Sequence, residues 1–221
     1  MCLSHAQFDG EPAVGPTMAQ RTATDLFSDW AASGRDEGME KGHTASVEAM
    51  LEAVLPNLNP GFNAIDVGCG NGWVVRRLNG LEACQHASGV DGAETMIDKA
   101  KAIDPEGDYT LAMLPEWHPE APVDLVHSME VLYYLQDPLG FLHTLRNAWL
   151  NDDGWAVIGV DHYAENEACH DWSGSLNVHM AMHSMDAWVD GMNDAGFRNV
   201  KAFQTGAKDG WAGTLVLMGQ K

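Results

Sequence analysis

Gly68, Gly70 and Gly72 alternate through the segment AIDVGCGNGW, residues 64–73. Glycine at that density lets the backbone itself approach a ligand, because no Cβ stands in the way. Asp91 closes the next apolar run, where a carboxylate can accept hydrogen bonds from ribose hydroxyls. His162 follows Asp161 at the end of a later apolar run, and an imidazole there can act as a base or orient an acceptor. A third group is carried by ACHDWSGSLNVHMAMH, with Cys169, His170, His179 and His183. His179 and His183 are spaced to share a helix face, as two metal ligands would. That segment lacks the glutamate of H-E-x-x-H and any tight third ligand, so no metal is expected. Met180, Met182 and Met185 read as apolar lining instead.

The spacing of the glycines restricts the ligand. A dinucleotide fingerprint reads G-x-G-x-x-G, with close helix packing at its third glycine. Here that third place is Trp73, whose bulk hinders a pyrophosphate at the helix end. No GK[ST] follows, which excludes a P-loop.

Elements of alternating type must position these groups. Residues 23–57 have helical spacing, with Leu26, Phe27 and Trp30 on one face. GRDEGMEKGH, with Gly38 and Gly42, is expected to interrupt that helix. It resumes with Thr44 as N-cap and Val47, Met50, Leu51 and Val54 on one side. NAIDVG, HASGVDG, GDYTLAML, PVDLVHSM and GWAVIGVD read as five strands. NGWVVRRLNG, AETMIDKAKAI and DPLGFLHTLRNAWL read as helices between them. SMDAWVDGMNDAGF is a further helix, and RNVKAFQT and GWAGTLVLMGQ are the last strands. The alternation specifies an α/β fold: a doubly wound sheet of about seven strands, mostly parallel with an antiparallel last strand, and helices on both faces. His162–Ser184 breaks the rhythm, and long connections of this kind are often functional.

The chain has 221 residues, enough for one core with a small cap. No apolar run is long enough for a membrane span. The first residues lack the charged and apolar regions of a secretory signal. Residues 1–22 are expected to be a disordered tail, with Met18 an alternative start. Asp and Glu number 32 against 12 Lys and Arg, a formal net charge of −20. Such a surface repels phosphate backbones, and it serves either solubility alone or adaptation to a salt-rich cytoplasm. The four cysteines form no CxxC pair, which fits a reducing compartment.

AIDVGCGNGW, GVDGAETMIDKAK, the Leu114-Pro115 pair and VDLVHSMEVLYYLQDP together resemble the class I, Rossmann-like S-adenosylmethionine-dependent methyltransferases over about residues 60–160. The resemblance implies S-adenosyl-L-methionine as cofactor. It places Asp66, Gly68, Cys69 and Gly70 around the methionine part and Asp91 on the ribose. Gly92 or Ala93 would border the adenine, with Ala112 and Met113 flanking its ring. Met129 and Glu130 would floor the site near the sulfonium. Family members often carry an acid just after the third strand. Thr110 and Ala112 stand there instead, so backbone or water contacts to the adenine amino group are expected.

A sulfonium methyl is already activated, so positioning supplies much of the acceleration and the motif does not name the acceptor. The resemblance puts Tyr133 and Tyr134 in the acceptor pocket and suggests an N-terminal lid over residues 23–58, with Arg35, Glu37 and His43 as its polar groups. His162, Tyr133, Tyr134 and His43 are therefore the catalytic candidates. The segment 162–184 is expected to cover the acceptor. The main expectation is methyl transfer to a small molecule through oxygen, nitrogen or sulfur by a monomer or homodimer, with neither nucleic acid nor membrane as partner. The alternatives are an RNA or protein methyltransferase and a non-catalytic cofactor-binding protein.

Overall fold

The computed structural model describes residues 19–221, so most of the expected tail, including Met18, lies outside the described residues. Two helices open the fold, α1 (Ala23–Ala32) and α2 (Asp36–Val54). Strands and helices then alternate: β1 (Phe62–Val67), α3 (Trp73–Asn79), β2 (Cys84–Asp91), α4 (Glu94–Ile103), β3 (Asp108–Leu111) and β4 (Val123–Met129). After β4 come α5 (Pro138–Thr144), β5 (Leu150–Val160), α6 (Trp172–Leu176), α7 (Met185–Asp194), β6 (Arg198–Thr205) and β7 (Thr214–Gln220).

The seven strands form one sheet in the order β3-β2-β1-β4-β5-β7-β6. The first five run parallel, and β7 is antiparallel to both β5 and β6. Side chains alternate across the sheet, so each buried strand feeds two cores. On β5, Ala156, Ile158 and Val160 pack toward α5 and α7, with Trp149 and Trp188. Trp155 and Val157 pack toward α2, α3 and α4, with Val47, Met50, Val74 and Ile97. Strand order reverses between β1 and β4. Ligands of such sheets bind in the crevice beyond the strand ends at this point.

Three local expectations are corrected. The helix is interrupted, as expected, but at residues 33–35, where Gly34 has a φ of 73°; Gly38 and Gly42 do not break it, since α2 runs through them. The Cβ positions of Gly38 and Gly42 have nothing within 4 Å. Each glycine costs about 1 kcal/mol against alanine, and burying Val47, Met50, Leu51 and Val54 offsets that at about 1.5–3 kcal/mol per side chain. Thr44 is therefore no N-cap; its hydroxyl donates to the Glu40 carbonyl at 2.7 Å in mid-helix. Finally, His179 and His183 lie in irregular chain before α7 and share no helix face.

Candidate cofactor and acceptor site

A cavity of about 400 Å3 opens at the switch point. The loop after β1 supplies one wall, and its three glycines all have positive φ. They differ in what demands it. A Cβ on Gly68 would lie 2.1 Å from Val131 Cγ2, and one on Gly72 would lie 2.4 Å from the Tyr109 ring. A Cβ on Gly70 would meet only Met96 Sδ, at 3.9 Å. Gly68 and Gly72 thus serve packing, and Gly70 leaves room in the cavity.

Asp91 ties this loop to the next strand. Its Oδ2 accepts from the Gly70 N–H at 2.9 Å and its Oδ1 from the Ala93 N–H at 2.7 Å. Burial pushes its carboxyl up, against those backbone donors. Each oxygen keeps a lone pair for a ligand hydroxyl. Asp66 is held from the neighbouring strand, where Nδ1 of the wholly buried His127 lies 2.7 Å from Asp66 Oδ1. The pair follows from register, since Asp66 stands opposite His127 in the β1–β4 ladder.

The N-terminal helices close the other side. Asp36, at the start of α2, is 2% exposed, accepts from Lys99 Nζ at 2.8 Å and from Asn71 Nδ2 at 2.9 Å, and so latches α2 to the glycine loop. Burial raises the Asp36 carboxyl, but Lys99 and Asn71 more than offset that and leave it below the usual carboxylate range. Sequence reasoning passed over both Asp36 and His127. An acid in a charged run and a histidine in a strand carry no signal until their partners are known.

The expected site residues divide. Asp66, Gly68, Cys69, Gly70, Asp91, Gly92, Met113, Met129, Glu130, Tyr134 and His43 all line this cavity. Ala112, Tyr133 and His162 do not. The Ala112 N–H is spent on the Asp91 carbonyl, and Met113 and Leu114 form the wall beyond it. Tyr133 is buried behind Glu130 and donates to its Oε2 at 2.7 Å. His162 is 1% exposed. Its ring sits between Tyr133, with centroids 5.3 Å apart, and Trp172, at 6.3 Å and nearly parallel. Burial pushes its imidazole down. The strand end carries it into the core rather than toward the cavity. From the segment 162–184, Val178 and His179 reach the cavity wall.

At the end of β4, Glu130 has φ of 62°, a left-handed conformation that a non-glycine residue adopts only under outside restraint. Its Oε1 accepts from the Asp161 N–H and its Oε2 from Tyr133. Burial, with the Asp161 charge, raises its carboxyl well above the usual range. His43 of α2 lines the cavity near this point, with Nε2 3.8 Å from Asp161 Oδ2. Burial pushes the His43 imidazole down and Asp161 pushes it back up. Asp161 is itself buried, and its Oδ1 has no hydrogen-bond partner among the described residues.

This sheet order, with a glycine loop and a strand-end acid at the switch point, defines a Rossmann-like S-adenosylmethionine-dependent methyltransferase. A family model described as "Methyltransferase domain" matches residues 39–202, and the chain belongs to that family. The cofactor is S-adenosyl-L-methionine, which the open space beside Gly70 and the free lone pairs of Asp91 accommodate.

Among solved structures, the complex between the Haloferax volcanii Trm112 methyltransferase activator and a methyltransferase matches with a TM-score of 0.77 and 26% identity, over 90% of this chain and 97% of that one. The N-methyltransferase NodS of Bradyrhizobium japonicum, solved with S-adenosyl-L-homocysteine, shares the fold at a TM-score of 0.61 and 16% identity, over 82% of this chain and 86% of that one. Of curated relatives, the tRNA U34 carboxymethyltransferase of Aeromonas salmonicida is 36% identical over 115 residues, 48% of this chain and 35% of that protein. The enzyme of the same name from Haemophilus influenzae (strain PittEE) is 28% identical over 171 residues, 68% of this chain and 50% of that protein. The chain thus spans about a third to a half of the length of these curated relatives.

These relatives overturn two expectations: a small-molecule acceptor, and a partner set without nucleic acid for a monomer or homodimer. The curated relatives are named for tRNA, and one structural relative is bound to a protein activator. Net charge misled because it sums the whole surface, whereas an enzyme can admit one base locally and leave the backbone to other contacts. Among the described residues, no helix is long and apolar enough to cross a membrane.

Proposed function

We propose that this chain transfers the methyl group of S-adenosylmethionine to a base of tRNA. The observation that carries the tRNA acceptor is the shared tRNA name of the curated relatives, which are carboxymethyltransferases; a methyl as the group transferred rests on the methyltransferase family. The cofactor supplies an electrophilic methyl. Asp66 and the loop through Gly70 hold its amino-acid end, Asp91 its ribose, and Met113 and Leu114 its adenine, with Met129 and Glu130 beneath the sulfonium. The N-terminal helices and the segment 162–184 then act as cover, with Gln20, Phe27, Met39 and His179 on the cavity wall. A nucleobase turned out of its stack is the part of an RNA that fits such a recess.

The phosphate backbone needs another explanation, since a chain with 12 Lys and Arg against 32 acids attracts it poorly. A protein activator of the kind bound to the Haloferax relative would supply that contact, and concentrated salt would screen the repulsion. We place the activity in the cytoplasm, where Cys69, Cys84 and Cys169 remain free thiols.

The test incubates the purified chain with tRNA and methyl-labelled cofactor from low to molar salt, with and without a Trm112-type protein. Label in tRNA, located by nucleoside digestion, is the expected result. No label in tRNA under any of these conditions overturns the reading.

A further inference from the structure

We infer that His43 is the base that takes the acceptor's proton, and that Asp161 is the residue that orients it. The inference deepens the proposed RNA reading and rests on it for the acceptor. Of the ionisable groups on the cavity wall, Arg21 offers no acceptor atom, and burial pushes the Cys69 thiol and the Tyr134 hydroxyl up, which leaves the carboxylates and histidines. Asp36 is committed to Lys99 and Asn71 and Asp66 to His127, and Asp91, beyond holding the Gly70 and Ala93 amides, is assigned to the ribose hydroxyls. Both oxygens of Glu130 accept hydrogen bonds, from the Asp161 N–H and the Tyr133 hydroxyl. His179 donates from Nε2 to the Leu135 carbonyl at 3.1 Å, which leaves its Nδ1 bare, but among the described residues it has no carboxylate within 4 Å to stabilise an imidazolium, as His43 has. His43 lines the same cavity with no hydrogen bond from either ring nitrogen among the described residues.

Asp161 decides which nitrogen is free. Its Oδ2 stands 3.8 Å from His43 Nε2, beyond a hydrogen bond, so it acts through its charge, which favours the tautomer with the proton on Nε2 and leaves Nδ1 as acceptor. The buried carboxylate also stabilises the imidazolium that forms, the role a third group plays in nucleophile–base–acid arrangements. Such a base matters only for an acceptor that starts protonated. The acceptor class is therefore a hydroxyl or ring N–H of the base, rather than a nitrogen or sulfur with its lone pair already bare. In the step, the acceptor's O–H or N–H bond breaks, the proton goes to His43 Nδ1, and the electron pair left on the acceptor bonds to the methyl carbon as the carbon–sulfur pair leaves with sulfur.

The same residues suggest an opposing reading that the test must exclude. His43, Glu130 and Asp161 each offer an atom within 4.8 Å of the others, the reach of a metal site. The experiment has an arm that needs no acceptor. The ring of His43 is followed by NMR through a pH titration in the wild type and in Asp161→Asn. Asp161 and Glu130 face it from the strand ends, and Tyr134 lines the same cavity. Loss of the Asp161 charge removes a cation-stabilising neighbour, so the midpoint is expected to fall. An unchanged midpoint overturns the pairing, whatever the acceptor proves to be.

The second arm uses labelled tRNA. His43→Ala is expected to lower kcat by about 10²–10⁴-fold with cofactor affinity unchanged, and added imidazole is expected to restore part of it. His43→Gln keeps the bulk and controls for folding. Full activity in His43→Ala overturns the inference, as does a loss of wild-type activity in EDTA that Mg²⁺ or Mn²⁺ restores. A wild type inactive on tRNA defeats the acceptor reading and leaves the titration to decide the pair.

Discussion

The backbone N–H of Gly70 donates to Oδ2 of Asp91 across 2.9 Å, so a residue expected to serve the cofactor also fastens the loop that surrounds it. Removing the carboxylate frees two amides and withdraws the proposed ribose contact at once. Asp91→Ala is expected to weaken S-adenosylhomocysteine by at least the ~1.5–3 kcal/mol of one hydrogen bond to a charged group. Calorimetry checks it. Unchanged affinity in a folded variant contradicts the placement of Asp91 against the ribose.

Gly68 and Gly70 separate fold from binding. Gly68→Ala forces a methyl into Val131 and should lower the melting temperature, with partial recovery in Gly68→Ala/Val131→Ala. Gly70→Ala meets open space and carries only the left-handed backbone cost of about 1–2 kcal/mol, so it should stay folded and lose cofactor affinity. Melting curves with and without S-adenosylhomocysteine distinguish the two.

The Asp36 latch predicts a dependence on acid. A carboxyl held below its unfolded value contributes stability that is complete above the unfolded pKa of about 3.9 and is lost as pH falls through the folded value. Wild-type stability should therefore drop below about pH 4 more steeply than that of Asp36→Asn. At neutral pH, Asp36→Ala should cost about 1–3 kcal/mol, because the buried Asn71 amide loses its acceptor. Denaturant melts across pH read both effects, and parallel acid limbs in the two proteins refute the latch.

The excess of acids predicts that the melting temperature rises with salt. Self-repulsion at a net charge of −20 is damped as the screening length falls from ~10 Å at 0.1 M to ~3 Å at 1 M. Calorimetric scans in increasing KCl test this, and a flat profile removes the argument for a saline setting.

The sequence by itself determined the sheet, the glycine loop and the acid at the end of β2. Each is a local pattern, a strand period or a turn that demands positive φ, and it reads the same in any context. Gly70 and Asp91 were legible for that reason. Local pattern failed at α2, where burial of Val47, Met50, Leu51 and Val54 overrode two glycines. Tertiary structure alone decided which ionisable groups meet. His127 faces Asp66 through strand register, Asp36 reaches Asn71 and Lys99 across the cavity rim, and His43 of α2 comes beside Asp161 of the fifth strand's end. His162, which the strand end offered as the base, was carried into the core, and a histidine far earlier in the chain took the cavity wall. The direction of a side chain at a strand end depends on the twist of the sheet and on what packs over it, and neither is written in the residues beside it.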